Sequence, residues 1–225
     1  MDATTYVSDN LIEDILKFND VKSHCVSQLN DTPTAMVHNL VGTAQLMSSC
    51  MPLNLEQVSR LLPNVQYDKQ KFAAITIRLY KPFCTVLLFT SGKMVLTGCK
   101  NFVQCVLAAS HVLEMMEMGF TQFKFHMIDV SIQNIVGNAD VKLQHDQEMD
   151  LTRMLDENRV YCTYLPNMFP GLIYRPVNSP VVLLIFKSGK MVITGGRSCT
   201  DVLQGWAQHW PVVKKYIVNK AIDEL

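Results

Sequence analysis

One phrase of the sequence occurs twice, and this duplication constrains the fold more than any other feature. The segment LLFTSGKMVLTG, from Leu87 to Gly98, returns as LIFKSGKMVITG from Leu184 to Gly195, displaced by 184 − 87 = 97 residues. A second match, between HNLVGT and QNIVGN, has an offset of 134 − 39 = 95 residues between its asparagines. Two copies of a unit of about a hundred residues are too long for solenoid repeats, so they predict a two-fold pseudo-symmetric pair.

The duplication divides the chain into three predicted regions. An N-terminal extension covers residues 1–33, copy one covers residues 34–124 and copy two covers residues 125–225. The extension has apolar residues at the spacing of one amphipathic helix. These residues are Leu11, Ile12, Ile15, Leu16 and Phe18. Nothing in the two copies corresponds to this helix.

The composition indicates a globular protein, with 48% hydrophobic and 18% charged residues among 225. The longest apolar run, Val181–Phe186, is far shorter than the ~20 residues that span a bilayer, and Asp2 stands where a secretory signal would be basic. We therefore expect no membrane partner and no secretion. Seven scattered cysteines without a C-x-x-C pattern predict reduced, mostly buried thiols and no metal site. Because 20 basic and 20 acidic residues cancel, nucleic-acid binding would have to rest on local placement of charge.

Each copy predicts a strand, a helix, a run of strands and a long helix. Asn54 is the predicted N-cap of the first short helix, and three alternating strands follow it. The long helix of copy one is predicted over Phe102–Met118, with Gly119 ending it. Copy two repeats this order, and its last helix is predicted to begin near Ser198 and to be disturbed at Trp210 and Pro211.

The strands of both copies are apolar on both faces. Alternation places Leu87 and Phe89 on one face of a strand, with Val86 and Leu88 on the other. Two helices per copy can cover only one face, so the second face must be exposed or meet a partner. The predicted second face consists of Asn39, Val41, Phe72, Ala74, Thr76, Leu87, Phe89, Val95 and Thr97 in copy one, and Asn134, Val136, Phe169, Ile173, Leu184, Phe186, Val192 and Thr194 in copy two.

The chemistry of this second face favours a nucleic-acid minor groove. It combines small aliphatic side chains with paired Thr and Asn and no carboxylate, and its strands end in basic residues. Apolar atoms suit sugars and base edges, Asn and Thr suit the few acceptors, and cations suit phosphates. The pairs Phe72 with Phe89 and Phe169 with Phe186 are suited to wedge between base steps. The alternative is that these four rings belong to the core.

Several motifs resemble those of the TATA-box-binding protein (TBP) family: KFAAI, LFTSGKMVLTG, IQNIVGNADVK, FPGLIY and VLLIFKSGKMVITG, within about residues 33–218. The resemblance implies an α+β saddle, in which two pseudo-symmetric repeats form a curved antiparallel sheet with helices on the convex face. It implies a general transcription initiation factor that binds and bends TATA-like, A·T-rich promoter DNA through the minor groove and nucleates the preinitiation complex. Such a factor needs no cofactor and acts in the nucleus, or in a cytoplasmic viral factory if the source is a virus.

The resemblance also implies a role for individual positions. The implied intercalating residues are Phe72, Phe89, Phe169 and Phe186. Hydrogen bonds to base edges fall to Asn39, Asn134, Thr97 and Thr194. Packing in the groove falls to Val41, Val136, Val95, Val192, Leu87 and Leu184. Phosphate contacts fall to Arg78, Arg175, Lys93, Lys190, Lys100 and Arg197, supported by Ser91 and Ser188.

The chain departs from the family's pattern on its expected partner surfaces. The first long helix is usually basic, but here it carries Glu114 and Glu117 and neither Lys nor Arg. Ahead of FPGLIY, where the family places acidic residues that meet transcription factor IIB, this chain has Leu165, Asn167 and Met168. We therefore expect a IIB-like partner, and through it RNA polymerase machinery, with a different matching surface.

Two other classes of function are alternatives to a DNA-binding factor. Catalysis finds no support, because no H-E-x-x-H, G-x-S-x-G or complete phosphate-loop pattern is present. TBP-like halves also occur as accessory domains of DNA glycosylases and ribonucleases, but no residues remain here for a catalytic domain. The alternative function is a TBP-like protein-interaction platform with weak or no DNA binding. The four Phe, two Asn and two Thr at matching positions argue against it.

Overall fold

The computed structural model describes residues 31–220, and the helix predicted around residues 11–18 lies outside them. In its described part the chain forms two compact units. Unit one contains residues 39–133, and unit two contains residues 31–38 and 134–220. Within residues 31–220 no helix is long and apolar enough to cross a membrane.

Unit one is an antiparallel sheet with two helices. Its elements are β1 (Ala35–Ser48, from Asn39 onward), α1 (Leu55–Leu61), β2 (Val65–Gln66), β3 (Ala74–Tyr80), β4 (Phe83–Phe89), β5 (Lys93–Cys99) and α2 (Phe102–Gly119). The strands lie in the order β2-β3-β4-β5-β1. Helix α2 packs on β4 and β5, so the helices cover one face of this sheet.

Unit two repeats this plan with additions. Its elements are β6 (Phe125–Asp140, from Asn134 onward), β7 (Gln147–Met149), α3 (Leu151–Glu157), β8 (Cys162–Thr163), β9 (Leu172–Tyr174), β10 (Val182–Ile185), β11 (Lys190–Gly196), α4 (Cys199–Val213) and β12 (Ile217–Asn219). The main sheet has the order β6-β11-β10-β9-β8, and β7 pairs with β12 separately. Helix α4 packs on β11.

The helix ends follow local sequence, with two differences from the prediction. Asn54 caps α1 by accepting a hydrogen bond from the Gln57 N–H at 3.1 Å. Helix α2 includes Gly119 and ends at Phe120. Helix α4 begins after Ser198 as predicted, but it continues through Pro211 to Val213. The proline removes one N–H donor close to the end of the helix, where few further bonds depend on it.

Burial alternates along the strands, as a sheet covered on one side requires. Val86 and Leu88 are 0% exposed beneath the helices, whereas their neighbours Leu87 and Phe89 are half-buried. In unit two Leu183 is likewise 0% exposed. Each unit therefore has a helix-covered core face and a second face without helices, which we name the open face.

The cysteines of the described region are reduced thiols. Cys84, Cys99, Cys105 and Cys162 are buried, and Cys50 and Cys199 are half-buried. Burial raises the pKa of Cys162 to about 11, so its thiol is protonated at neutral pH. Among residues 31–220 no cluster of three metal-ligating side chains occurs.

Candidate nucleic-acid interface

The open face of unit one consists of rows that run across the strands. In one row Thr43 of β1 lies opposite Val95 of β5, which lies opposite Leu87 of β4. In the next row Val41 lies opposite Thr97. All five side chains are half-buried, so they form a continuous, mostly apolar surface that the helices of the unit leave uncovered.

The open face of unit two has the same construction. Leu184 of β10 lies between Ile173 of β9 and Val192 of β11. Thr194 continues β11, and Val136 lies on the neighbouring strand β6. These side chains are also half-buried, so the duplication in sequence is a duplication of surface chemistry.

The predicted phenylalanine pairs form in both units. The rings of Phe72 and Phe89 lie edge to face with centroids 6.2 Å apart, and those of Phe169 and Phe186 lie edge to face at 5.7 Å. Phe72 is 48% exposed and the other three are half-buried. The rings therefore belong to the open face and not to the helix-covered core.

A small residue lies beside each pair. A Cβ on Gly171 would come within 2.7 Å of Phe169 Cε1 and 3.0 Å of Phe186 Cε1, so this pair requires glycine for its close packing. The matching residue in unit one, at 171 − 97 = 74, is Ala74, opposite Phe89 in the register. Ala74 is 2% exposed, which corrects its predicted place on the exposed surface.

The two asparagines are held by glycine N–H groups. Gly98 N donates to Asn39 Oδ1 at 3.0 Å, and Gly195 N donates to Asn134 Oδ1 at 2.8 Å. Asn134 Nδ2 also donates to Thr194 Oγ1 at 3.0 Å. Both amides are half-buried on the open face with their oxygens already bonded. The sequence indicated the asparagines but not the glycines. The available signal for the glycines was that each directly follows the V-x-T stretch of a TBP-like motif.

All predicted phosphate-binding side chains are exposed. They are Arg78, Lys93, Lys100, Arg175, Lys190, Arg197, Ser91 and Ser188. Lys93 and Lys190 begin their strands, and Arg197 directly follows the end of β11. Arg78 lies within β3, and the other five cations lie at or directly after strand ends. Together the six exposed cations give the open faces a basic margin, although the whole chain has a formal net charge of zero.

One carboxylate belongs to this margin, contrary to the expectation that the face carries none. Asp140 is the last residue of β6 and pairs with Lys190 of β11. The alternation of side chains along β6 places it on the open face. Its Oδ2 accepts from Lys142 Nζ at 3.0 Å, and hydrogen bonds from Lys142 together with the charge of Lys190 lower the pKa of Asp140. The matching position in unit one, at 140 − 95 = 45, is the neutral Gln45 opposite Lys93.

The predicted partner residues lie in the connection between β8 and β9. The N–H groups of Met168 and Phe169 both donate to Leu165 O at 2.9 Å, which forms a turn directly before the ring of Phe169. Met168 is 84% exposed and Leu165 is 56% exposed, and Asn167 is also exposed. The turn therefore presents apolar side chains to solvent.

Comparison with known proteins gives a consistent result. The profile of the family described as transcription factor TFIID, or TATA-binding protein (TBP), matches residues 34–118 and 129–216. The chain is 38% identical to a TATA-box-binding protein of Caenorhabditis elegans over 84% of its length, and 36% identical to one of Acanthamoeba castellanii over 82%. It spans only 53% of the nematode relative and 69% of the amoebal one.

A solved structure agrees with the fold. Methanococcus jannaschii TBP matches with a TM-score of 0.65 and 29% sequence identity, covering 80% of this chain and 98% of that one. Two α+β repeats, each with an apolar open face beside a helix-covered one, define a two-repeat fold class. The chain belongs to the TATA-binding protein family. This confirms the fold class and the family that the motifs indicated.

Proposed function

We propose that this protein binds A·T-rich promoter DNA through the minor groove and bends it. The observation that carries the proposal is the pair of phenylalanines that remains solvent-accessible on the open face of each unit. Apolar wedges of this kind insert between base steps and kink the duplex.

The surroundings of the wedges support a minor-groove ligand. Rows of Val, Leu and Thr side chains offer apolar contact with sugars and base edges and few hydrogen-bonding groups. The minor groove of A·T pairs carries only acceptors, so two amides and two hydroxyls are a sufficient polar complement. The basic margin supplies phosphate contacts that position the duplex without reading its sequence.

We also propose that the DNA complex nucleates a transcription initiation complex in the nucleus. The relatives are named as TATA-box-binding proteins, and the family description is a transcription factor. The exposed turn with Leu165 and Met168 lies between β8, the edge strand of unit two, and β9. We assign this turn to a IIB-like partner with an apolar matching surface.

A gel-shift and bending assay tests the proposed function. We expect the full chain to bind and bend a TATA-containing duplex and to bind a G·C-substituted duplex less tightly. If all six rim cations contact phosphate, the slope of log K against log salt is about −0.9 × 6, or roughly −5, and partial engagement brings it nearer −3. Absence of binding, or a slope near zero, would favour the protein-interaction platform instead.

Asp140→Asn is expected to tighten DNA binding. The ionised carboxylate opposes Lys190 and repels phosphate, and surface pairs of this kind contribute roughly 0.2–1 kcal/mol, so the gain is about 1.5- to 5-fold. The gain is equal on A·T-rich and mixed sequences, because the contact is to phosphate. Fluorescence anisotropy measures both affinities. Asp156→Asn, the same charge change on α3, is the control, and an equal gain there would assign the effect to net charge alone.

A further inference from the structure

We infer that Gly98 and Gly195 are specificity-positioning residues, whose backbone N–H groups orient the amides of Asn39 and Asn134 so that each presents donors and not an acceptor to DNA. The inference rests on the proposed function and assigns a cause to its A·T preference. The two glycine N–H groups come from the same backbone irregularity, which occurs at the same position in each unit.

That irregularity is a β-bulge at the same position of each copy. In unit one Leu40 and Val41 are consecutive but face Cys99 and Thr97, so Gly98 is the extra residue. In unit two the register with β6 shifts between Ile193 and Gly196, the stretch that contains Gly195. A bulge leaves its extra residue outside the regular ladder. Its N–H is therefore free to bond a side chain on the neighbouring strand.

Each freed N–H is bonded to an asparagine oxygen. The distances are 3.0 Å for Gly98 N to Asn39 Oδ1 and 2.8 Å for Gly195 N to Asn134 Oδ1. A backbone N–H can only donate, so the amide end that it contacts must be the oxygen. The bonds thus settle the orientation of both amides, which is otherwise ambiguous for asparagine.

The nitrogen ends of the amides are left for a ligand. Within residues 31–220, Asn39 Nδ2 has no intramolecular acceptor, and Asn134 Nδ2 has one, the Thr194 hydroxyl. Asn39 can therefore offer two N–H donors. Asn134 can offer one, beside a hydroxyl that its own amide orients. The two halves of the interface are not equivalent, and unit one has the more open donor pair.

Fixed donors distinguish A·T from G·C pairs. In the minor groove A·T pairs present only acceptors, whereas a G·C pair adds the donor N2–H2 of guanine. An unrestrained amide could rotate and accept from guanine. The glycine N–H opposes that rotation because the rotated amide would place Nδ2 against another donor. The bulge therefore converts a permissive side chain into an A·T-selective one.

The backbone explains why both positions are glycine. Their φ angles are +93° and +97°, a conformation that other residues adopt with strain. A Cβ on Gly195 would also lie 2.5 Å from Pro180 O. A Cβ on Gly98 would meet only Cys84 Cα, at 3.9 Å. Replacing either glycine perturbs the backbone, so the test is better made on the asparagine.

Asn39→Asp is the discriminating variant. The carboxylate has nearly the shape of the amide and still accepts from Gly98 N, but it replaces the outward donors by an acceptor. We expect the folded state to be retained, affinity for an A·T site to fall about tenfold or more, and the loss to be smaller on a duplex with G·C at the contacted step. Asn138→Asp is the control. Asn138 is exposed on the open face of β6, and its substitution adds the same charge at a side chain that no glycine N–H of a bulge contacts.

A measurement without DNA tests the hydrogen bond itself. Amide hydrogen exchange, followed by NMR, is expected to show a slow Gly98 N–H in the wild type and in Asn39→Asp, and a faster one in Asn39→Ala. Equal exchange in all three proteins would overturn the positioning role even if the wild type binds TATA DNA normally. Equal losses on A·T and G·C sites, matching those of Asn138→Asp, would overturn the specificity role. Failure of the wild type to bind any duplex would instead remove the proposed function, and with it the specificity role, whatever the exchange rates.

Discussion

Replacing Phe72 and Phe89 together by alanine is expected to reduce DNA bending strongly while the protein stays folded. Minor-groove proteins that insert apolar wedges, TBP among them, spend roughly a few kcal/mol per unstacked base step, and the inserted rings offset that cost. Without the rings the step remains stacked and the kink at that end of the site is lost. A bend measured by fluorescence energy transfer on end-labelled duplexes is expected to fall by about half, because the pair in unit two remains.

The effect on folding separates a wedge from a core residue. Phe72 is 48% exposed and Phe89 is partly buried, so the double substitution removes an edge-to-face ring contact of about 0.5–1.5 kcal/mol and the buried part of Phe89. Leu88 precedes Phe89 in the sequence but lies on the helix-covered face, where it is 0% exposed. Leu88→Ala should therefore lower the free energy of unfolding by about 2–5 kcal/mol. Denaturant unfolding of the two variants makes this comparison. If the phenylalanine variant unfolds as readily as Leu88→Ala, the rings are core and not wedges.

The two phenylalanine pairs also show how far sequence reasoning reaches. Period-two alternation separated Leu87 and Phe89 from Val86 and Leu88, and the structure gives the same separation by burial. That step needs only the strand geometry and the turn between strands. Ala74 was misplaced because alternation assigns a face but says nothing about what a large neighbour on that face covers.

Other features of the site could not be read from one sequence. The bulges at Gly98 and Gly195 depend on how two distant strands pair, and a register shift of one residue leaves no local pattern. Asp140 lies at the rim because β6 extends to it. The segment from Val141 to Tyr161 contains β7 and α3, each too short for a clear periodic signal.

The two units are duplicates that differ at a few positions of their open faces. Unit one has the neutral Gln45 where unit two has Asp140, so the charge beside the first lysine of the strand differs. Unit one has Ala74 where unit two has Gly171, so the space beside the rings differs. The open faces of the two units differ in rim charge, in ring spacing and in the number of free amide donors.

The largest effect on assembly is expected from the turn before β9. Changing Leu165 and Met168 together to aspartate should abolish the ternary complex of protein, DNA and a IIB-like factor while sparing the binary complex with DNA. Both side chains are exposed, at 56% and 84%, so the free protein tolerates the charges. An apolar partner surface would have to desolvate two carboxylates without compensation, at a cost of several kcal/mol, which exceeds a hundredfold in affinity.

The measurement is a supershift on TATA DNA with IIB-like factors from the same source and from an unrelated eukaryote. The wild type is expected to be supershifted by the first and weakly or not at all by the second, because Leu165, Asn167 and Met168 stand where the resemblance implies acidic residues. Val177→Asp, an equally drastic change at a 54% exposed residue between β9 and β10, is the control and should leave the supershift intact. Equal supershift by both factors would refute a dedicated apolar partner, and an unaffected ternary complex in the double aspartate variant would place the partner elsewhere on the protein.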